Sequence, residues 1–495
     1  MILSERSKRG IAITAFVLPV LLHLFIVLAN HYFHRTFAYY YGVYNFAFWD
    51  YAHLQSSPIP VLFDGTNSTF LQDHFSLLFI VLAPLYWLMA PLSGTYSLLI
   101  LQWLAIAAGG LYTYKLLAEK YQQRWTATAA MLCYFFYYAR FSAYMADCNL
   151  AIIGSSLIPV FFYYFELQKK WGLYLVFLLL LIIREDFSLW LFFVAIFFMV
   201  IHWRNKEKRR SALLIGVCSL LFFILLFSWV IPSLETETKK FALFNYGALG
   251  EGPSAALLFI LQHPFKSIEL LFVNHIGAPE WDGTKVKFYL MFGLSGGFLL
   301  LLRPAYLLCL IPLIAKKMYN DDPYRWGYES YYGIEVACIL PVLLFSLIAE
   351  QKVIQPRILS SSVFIAAMIC TIYGFSSFVN VHVFNKIEFY QPDFYRRDYP
   401  VKLRTVLQGL PPEAAVSASS RMLPHLAFRQ KIYFFPMMKD AEYVVVGTYG
   451  ENWPVSTEEF DAKIAELRAQ GWQELYAEGS ALILKNPKTL LARQQ

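Results

Sequence analysis

Long apolar stretches alternate with short polar ones along most of this chain, and a bilayer-spanning helix needs roughly 20 such residues. On that pattern, spanning helices are predicted at 11–29, 97–117, 125–140, 149–167, 171–184, 187–202, 211–232, 287–302, 304–317, 333–349 and 358–379. The fold class expected is an all-α polytopic membrane protein with about eleven transmembrane helices. From about Asn385 the pattern changes to a mixed, water-compatible one. Residues 414–418, 431–435, 443–446 and 481–484 are β-branched and aromatic runs bounded by turn residues, so they read as short strands. Residues 457–470 read as an amphipathic helix, with Phe460, Ile464 and Leu467 on one face and Ser456 or Thr457 as its cap. The expected organisation is a membrane domain over 1–384, with a large first outer loop at 30–74, and a small extracytoplasmic α/β domain over 385–495.

The segment from Phe75 to Leu92 decides the topology. It is apolar, but Pro84 and Pro91 interrupt helical hydrogen bonding. A full crossing there would put Lys115, Lys120, Arg124 and the basic stretch Arg204, Lys206, Lys208, Arg209, Arg210 outside, against the positive-inside tendency. If it lies at, or re-enters, the outer interface, those basic residues sit inside with Arg6, Lys8 and Arg9. The second arrangement is the one predicted. Lys316 and Lys317 then fall on the outer side, which is its one discord.

Composition supports the membrane assignment. Of 495 residues, 58% are hydrophobic and 15% are charged, against about 25% charged in a soluble domain. The net charge of +7 is scattered between apolar segments, which argues against nucleic acid as a partner. Six cysteines show no metal-ligand spacing and read as small buried hydrophobes. Glycine-rich phosphate loops, HExxH zinc sites and nucleophile elbows are absent.

Ionisable groups at membrane depth are costly and are usually kept for a task. Arg184-Glu185-Asp186 splits the apolar run from Leu173 to Ile201. Arg184 suits a two-pronged phosphate contact, and Glu185 or Asp186 suits a sugar hydroxyl. The alternative is an outer turn closed by an internal ion pair. In the first loop, Tyr40, Tyr44 and Phe48 recur at helical spacing, as on a helix lying at the membrane surface. Asp50 and His53 sit three apart there, and a carboxylate in that place suits a general base. Gln72-Asp73-His74 offers a second acid beside a histidine, although Asp73 equally suits a cap for a helix starting near Phe75. Asp147 is predicted on the same outer face. His275, Glu280 and Asp282 are spaced too unspecifically to name a metal, and Lys239, Lys240 and Arg325 are candidate anion contacts.

These residues carry a resemblance. Trp49-Asp50-Tyr51-Ala52-His53, His74 with Pro84-Leu85-Tyr86, Arg184-Glu185-Asp186, Leu302-Arg303-Pro304, and a C-terminal set including Ala415-Val416-Ser417-Ala418, Pro424-His425-Leu426 and Phe435-Pro436 make the chain similar to one membrane-protein family. It is called domain of unknown function 2079 and is grouped with the C-type (GT-C) glycosyltransferases. The resemblance implies a GT-C-like fold and transfer of a sugar from a polyprenyl-phosphate carrier to a glycan, lipid or protein acceptor at the outer face of the cytoplasmic membrane. It implies Asp50 or Asp73 as base and Arg184 as phosphate contact. Glu185, Asp186, His53, His74 and Asp147 would surround the reactants. No particular cofactor or metal follows. The family's first loop carries aspartate at the positions of Tyr40 and Asn45, and near Asp147-Cys148-Asn149-Leu150-Ala151 only the acid Asp147 is kept. A non-catalytic binding or assembly protein with the same fold is therefore the alternative, and a lipid or solute transporter is a further one.

Overall fold

With no water to satisfy backbone polar groups, a chain this apolar crosses lipid as helices. The computed structural model describes residues 5–59, 68–237, 244–328, 330–378, 401–447, 452–479 and 481–487. Lys239, Lys240 and the expected domain boundary near Asn385 lie outside them. Five helical stretches are long and apolar enough to cross a membrane: Arg9–Tyr32, Leu78–Lys120, Lys206–Leu234, Tyr331–Glu350 and Pro356–Phe375. Shorter apolar helices are Leu150–Glu166, Lys170–Ile183, Phe187–Ile201 and Pro253–Gln262; the first is largely buried, the next two are partly buried, and the last packs on Leu249 and Leu270 through Ala256.

Leu78–Lys120 is not one rod. Gly94 adopts φ +52° and ψ −138°, a conformation that glycine reaches at least cost, and the chain turns there. Before the turn, the Leu77 N–H donates to the Ile182 carbonyl (2.9 Å). After it, the Thr95 hydroxyl meets His31 Nε2 (3.0 Å), and the Tyr41 hydroxyl donates to the Thr95 carbonyl. Along the way Trp87 Nε1 donates to the Ala52 carbonyl (3.1 Å), pinning the segment to the first-loop helix Val43–Ala52. Ile183 lies against Gly154, near the start of the helix Leu150–Glu166. Asp147, just before that helix, binds Asn30 at the end of the first helix. Both ends of Leu78–Ser93 therefore meet the same end of the bundle.

The region expected to hold continuous helices at 287–302 and 304–317 is broken instead. It contains helices Thr284–Leu294 and Ile311–Met318 with 3₁₀ turns Gly297–Leu302 and Pro304–Cys309 between them. Gly296 at φ +100° and the prolines at 304 and 312 explain the interruption.

Charges collect at the two ends of the bundle. At one end, the Glu166 carboxylate accepts from Lys208 (2.6 Å) and His202 (2.9 Å) and lies 3.1 Å from Lys120. Beside it, Glu350 pairs with Arg303 and accepts from the Tyr121 hydroxyl (2.7 Å). At the other end sit Arg184, Asp186, Lys316 and Glu335. The helix Phe187–Ile201 has Asp186 before its first residue and His202 after its last, and Ile334–Glu350 carries Glu335 and Glu350 at opposite ends. Such helices separate their ends by roughly 22–25 Å.

The C-terminal part forms a five-stranded sheet of β1 (Val416–Ala418), β2 (Ile432–Phe434), β3 (Tyr443–Gly447), β4 (Gln473–Glu478) and β5 (Ala481–Lys485). Its order is β2-β1-β3-β5-β4, parallel among β1, β2 and β3 and antiparallel at β5 and β4. The helix Thr457–Ala469 starts in a Ser456–Glu459 capping box and buries Phe460, Ile464 and Leu467. β4 was not expected, because only Tyr476 among its residues is buried. The sheet docks on the first loop: the Ala38 N–H donates to the Ser420 carbonyl (2.9 Å), and the His425 ring stacks on His31 at 3.9 Å.

The same-end geometry predicts accessibility. Single cysteines at Leu54 and Leu92, which flank the Pro-interrupted segment, should be labelled by an impermeant maleimide from the same compartment as one at Glu237. Cysteines at Gln122 and Asn205 should be labelled from the opposite one. A cysteine at Leu92 that behaves like one at Gln122 would mean that the segment crosses.

Candidate functional site

Arg184, Glu185 and Asp186 occupy the turn between helices Lys170–Ile183 and Phe187–Ile201. A charged turn that is only partly exposed needs partners, and it has them. Arg184 Nε donates to Asp186 Oδ1 (2.6 Å), and a terminal nitrogen of the same guanidinium bonds Asp186 Oδ2. Lys316 Nζ donates to Asp186 Oδ2 (2.8 Å) and to Glu335 Oε1 (2.7 Å), and Arg184 reaches the same Glu335 oxygen at 3.4 Å. Two cations and two carboxylates thus close a lattice across three elements. Burial alone would raise the Asp186 carboxyl, but Arg184 and Lys316 hold it well below its ordinary range.

Glu185 stands apart from this lattice. Among the described residues its Oε2 is buried without a hydrogen-bond partner. Burial, reinforced by the Asp186 charge, pushes its carboxyl above the ordinary range. His74 lies close enough to feel both Glu185 and Arg184. Its Nδ1 is 2.5 Å from Asp73 Oδ2. Burial would lower the imidazole, but the Asp73 bond and charge outweigh it and raise its pKa. Tyr44 packs edge-on to His74 at 6.2 Å, and Tyr40 meets Tyr331 at the same separation. The first loop and the trio therefore share one junction.

Beside it opens a cavity of about 570 Å³. Its polar wall includes Glu185, Asp186, Lys316, Arg325 and Glu335, and its apolar wall includes Phe187, Trp190, Phe193, Phe223 and Phe227. Arg325 bonds Asp322 at 3.3 Å and is 38% exposed, whereas Arg184 is 12% exposed and does not line the cavity. Lys316 and Arg325 line this cavity, whereas Arg184 touches Asp186 and Glu335 from behind its wall.

Other candidates are held elsewhere. Asp50 accepts from the Ser57 N–H (2.7 Å) and closes its own loop. His53 bonds the Trp49 carbonyl (2.7 Å) and packs against the Trp49 and Trp87 rings, so the shared face does not pair the two side chains. Asp147 ties the Asn30 amide (2.8 Å) and the Phe37 N–H (2.7 Å) together. His275 faces Lys285 and Asp321, while Asp282 binds Asn274. Among the described residues no group of three His, Cys, Asp or Glu side chains is arranged to hold a metal ion.

The family model described as "Predicted membrane protein (DUF2079)" matches residues 31–484. The chain belongs to this family. No curated protein matches it. Among solved structures it is similar to ArnT from Cupriavidus metallidurans, determined bound to undecaprenyl phosphate, at 11% identity and a TM-score of 0.50 over 97% of this chain and 98% of that one. The many-helix membrane-protein fold with a small C-terminal sheet expected from the sequence is thus a fold that resembles that of ArnT.

Asn45, where the family pattern expects an acid, is fully buried and donates to the Pro424 (3.2 Å) and Thr95 (3.3 Å) carbonyls. A carboxylate would face two carbonyl oxygens, so the amide suits this chain's docked sheet. Lys316 and Glu335 were not expected in the site. Their signal was Lys316 itself, a cation that the predicted topology puts on the side of the membrane where positive charge is disfavoured.

Two outcomes follow from these contacts. Asn45→Asp should cost about 1–3 kcal/mol by leaving buried carbonyls unsatisfied, read as a lower unfolding midpoint in detergent. Glu335→Ala should cost about 3–5 kcal/mol, because it strips a partner from a mostly buried charge lattice, and Glu335→Gln should cost less.

Proposed function

We propose that this protein is a membrane glycosyltransferase that takes a sugar from a polyprenyl-phosphate carrier and passes it to an acceptor at the outer face of the cytoplasmic membrane. The observation that carries the reading is the cavity, where aromatic walls suit a lipid chain and Lys316 and Arg325 suit its phosphate. The ArnT-like fold is consistent with it. In the proposed reaction an acceptor oxygen attacks the anomeric carbon as Glu185 takes its proton. The bond from that carbon to the phosphate oxygen breaks, and the carrier phosphate leaves with the electron pair, its charge held by Lys316 and Arg325. Glu185 is preferred to Asp50 as base because it lines the cavity, whereas Asp50, whose Oδ1 is also without a partner among the described residues, does not line it and holds the Ser57 N–H through Oδ2. Asp73 and His74 would orient the acceptor. The C-terminal sheet, docked on the same first loop, would lie outside with the cavity and contribute to acceptor choice.

The test is transfer from a polyprenyl-phosphate sugar by purified protein in liposomes. Glu185→Gln should lower turnover by roughly 10²–10⁴-fold while lipid binding is kept, and Arg325→Ala should weaken lipid binding. A base must be deprotonated to act, and the Glu185 pKa is raised. The wild-type rate should therefore climb as pH rises through a value above the ordinary carboxylate range, then level off, and Glu185→Gln should lose that limb. Binding of the lipid without turnover under any donor would favour the non-catalytic reading that Tyr40 and Asn45 suggest. Absence of binding would remove both.

A further inference from the structure

A second cavity, of about 520 Å³, lies at the opposite end of the bundle from the candidate site. It is bounded by the first helix, by the far end of Ser97–Lys120, and by the start of Arg124–Phe136. Arg9 lies 22 positions before His31, and Lys115 lies 20 positions after Thr95. Since His31 and Thr95 bond one another at the site end, both cations sit roughly 30 Å away from it along their helices. Arg9, Ala12, Ile13 and Phe16 form one helical face, and Leu111, Tyr114, Lys115 and Ala118 form another. Together they make a slot whose polarity changes along the bundle axis. Arg9, Lys115 and Arg124 stand towards its outer end, and Ile13, Phe16 and Leu111 line it deeper in.

Glu119 is the only acid among the described lining residues. Its carboxylate is engaged by the Tyr163 hydroxyl (2.9 Å) and lies 3.6 Å from Lys169. Among the described lining residues the slot therefore has three cations, Arg9, Lys115 and Arg124, to one acid, over an apolar floor. Basic pockets between membrane helices, near the interface on the basic side, are suited to lipid head groups. Arginine offers a planar fork to phosphate oxygens, and lysine offers a point charge.

We propose that this slot is a binding site for one anionic glycerophospholipid of the leaflet at the basic end, with its phosphate on Arg9, Lys115 and Arg124 and an acyl chain along Ile13, Phe16 and Leu111. A polyprenyl carrier at the other end would be a separate ligand, so the site stands whether or not the protein is a transferase.

The experiment is native mass spectrometry of the full-length protein released from nanodiscs of phosphatidylcholine with or without phosphatidylglycerol. Wild type should retain one phosphatidylglycerol in preference to phosphatidylcholine. Arg9→Gln/Lys115→Gln/Arg124→Gln should weaken that retention on the order of 100-fold. Ala118→Phe, which narrows the slot without changing charge, should also reduce it. Arg204→Gln/Lys206→Gln/Arg210→Gln, which removes exposed basic residues elsewhere at this end, should leave it intact. Inorganic phosphate at millimolar concentration should not displace the lipid. Equal retention of both lipids by wild type would overturn the proposal, as would equal loss in the distant triple variant. So would displacement by phosphate, which would make the slot a site for free anions.

Discussion

The lattice of Arg184, Asp186, Lys316 and Glu335 is the interaction on which the arrangement of one bundle end depends. Each charge alone would be too costly to hold at low exposure beside lipid. Together they form a neutral set in which each carboxylate touches both cations. The lattice also joins elements far apart in sequence: the turn at 184–186, the short helix Ile311–Met318, and the start of Ile334–Glu350. The broken region before Lys316 has a structural use in this light. Two continuous helices at 287–302 and 304–317 would have taken Lys316 along a regular helical path. The turns at Gly296 and Pro304 let Ile311–Met318 sit where its lysine meets both acids.

The first loop is held to that end by contacts of a different kind. Its helix Val43–Ala52 lies against Leu78–Ser93, and the C-terminal sheet closes over it through Ser420, Pro424 and His425. Gly42 permits this closeness, since a Cβ there would fall 2.6 Å from Leu423. Asn45 uses both of its amide protons on carbonyls of two other segments. Aromatic stacking and hydrogen bonds do much of the joining, together with the Arg421 guanidinium over the Phe37 ring and the Asp147 carboxylate on the Phe37 N–H. The loop thereby sets Tyr44 against His74 and Tyr40 against Tyr331, beside the turn at 184–186.

Much of this was legible from apolar periodicity. Most of the apolar helices, four of the five strands and the helix at 457 follow from hydrophobic spacing. β4 escaped because a charged edge strand with one buried residue carries almost no alternation. The site was legible only in part. Arg184, Glu185 and Asp186 announce themselves as charges inside an apolar run. Their partners do not, because Lys316 and Glu335 lie 130 and 149 positions beyond Asp186 and sit near helix ends, where single charges are ordinary. What marked Lys316 was its conflict with the charge bias of the loops. That conflict resolves once the lysine is seen to neutralise acids and not to anchor the chain to a membrane surface. For Asp50 and Asp147, local spacing suggested chemistry, but each carboxylate holds a backbone N–H, that of Ser57 and that of Phe37 respectively, and neither lines the cavity.

The two charged ends of the bundle show why the cavity beside Glu185 is the better place to look for chemistry. Both ends bury carboxylates, and in both the cost is offset by cations. At the basic end, Glu166 is saturated: Lys208, His202 and Lys120 all reach it, and 5% of its side chain is exposed. A group so fully matched is tuned for holding helices together and has no capacity left for a ligand. At the other end, the lattice satisfies Asp186 and Glu335 but leaves the Glu185 Oε2 without a hydrogen-bond partner, at the edge of an amphipathic cavity. An unsatisfied buried acceptor is destabilising by about 1–3 kcal/mol. Asp50 Oδ1 is in the same position, but among the described residues Glu185 is the one such carboxylate that lines this cavity. Saturation at one end and a vacant acceptor at the other are what a scaffold needs if its helices are to stay fixed while a polar group enters from the opposite face.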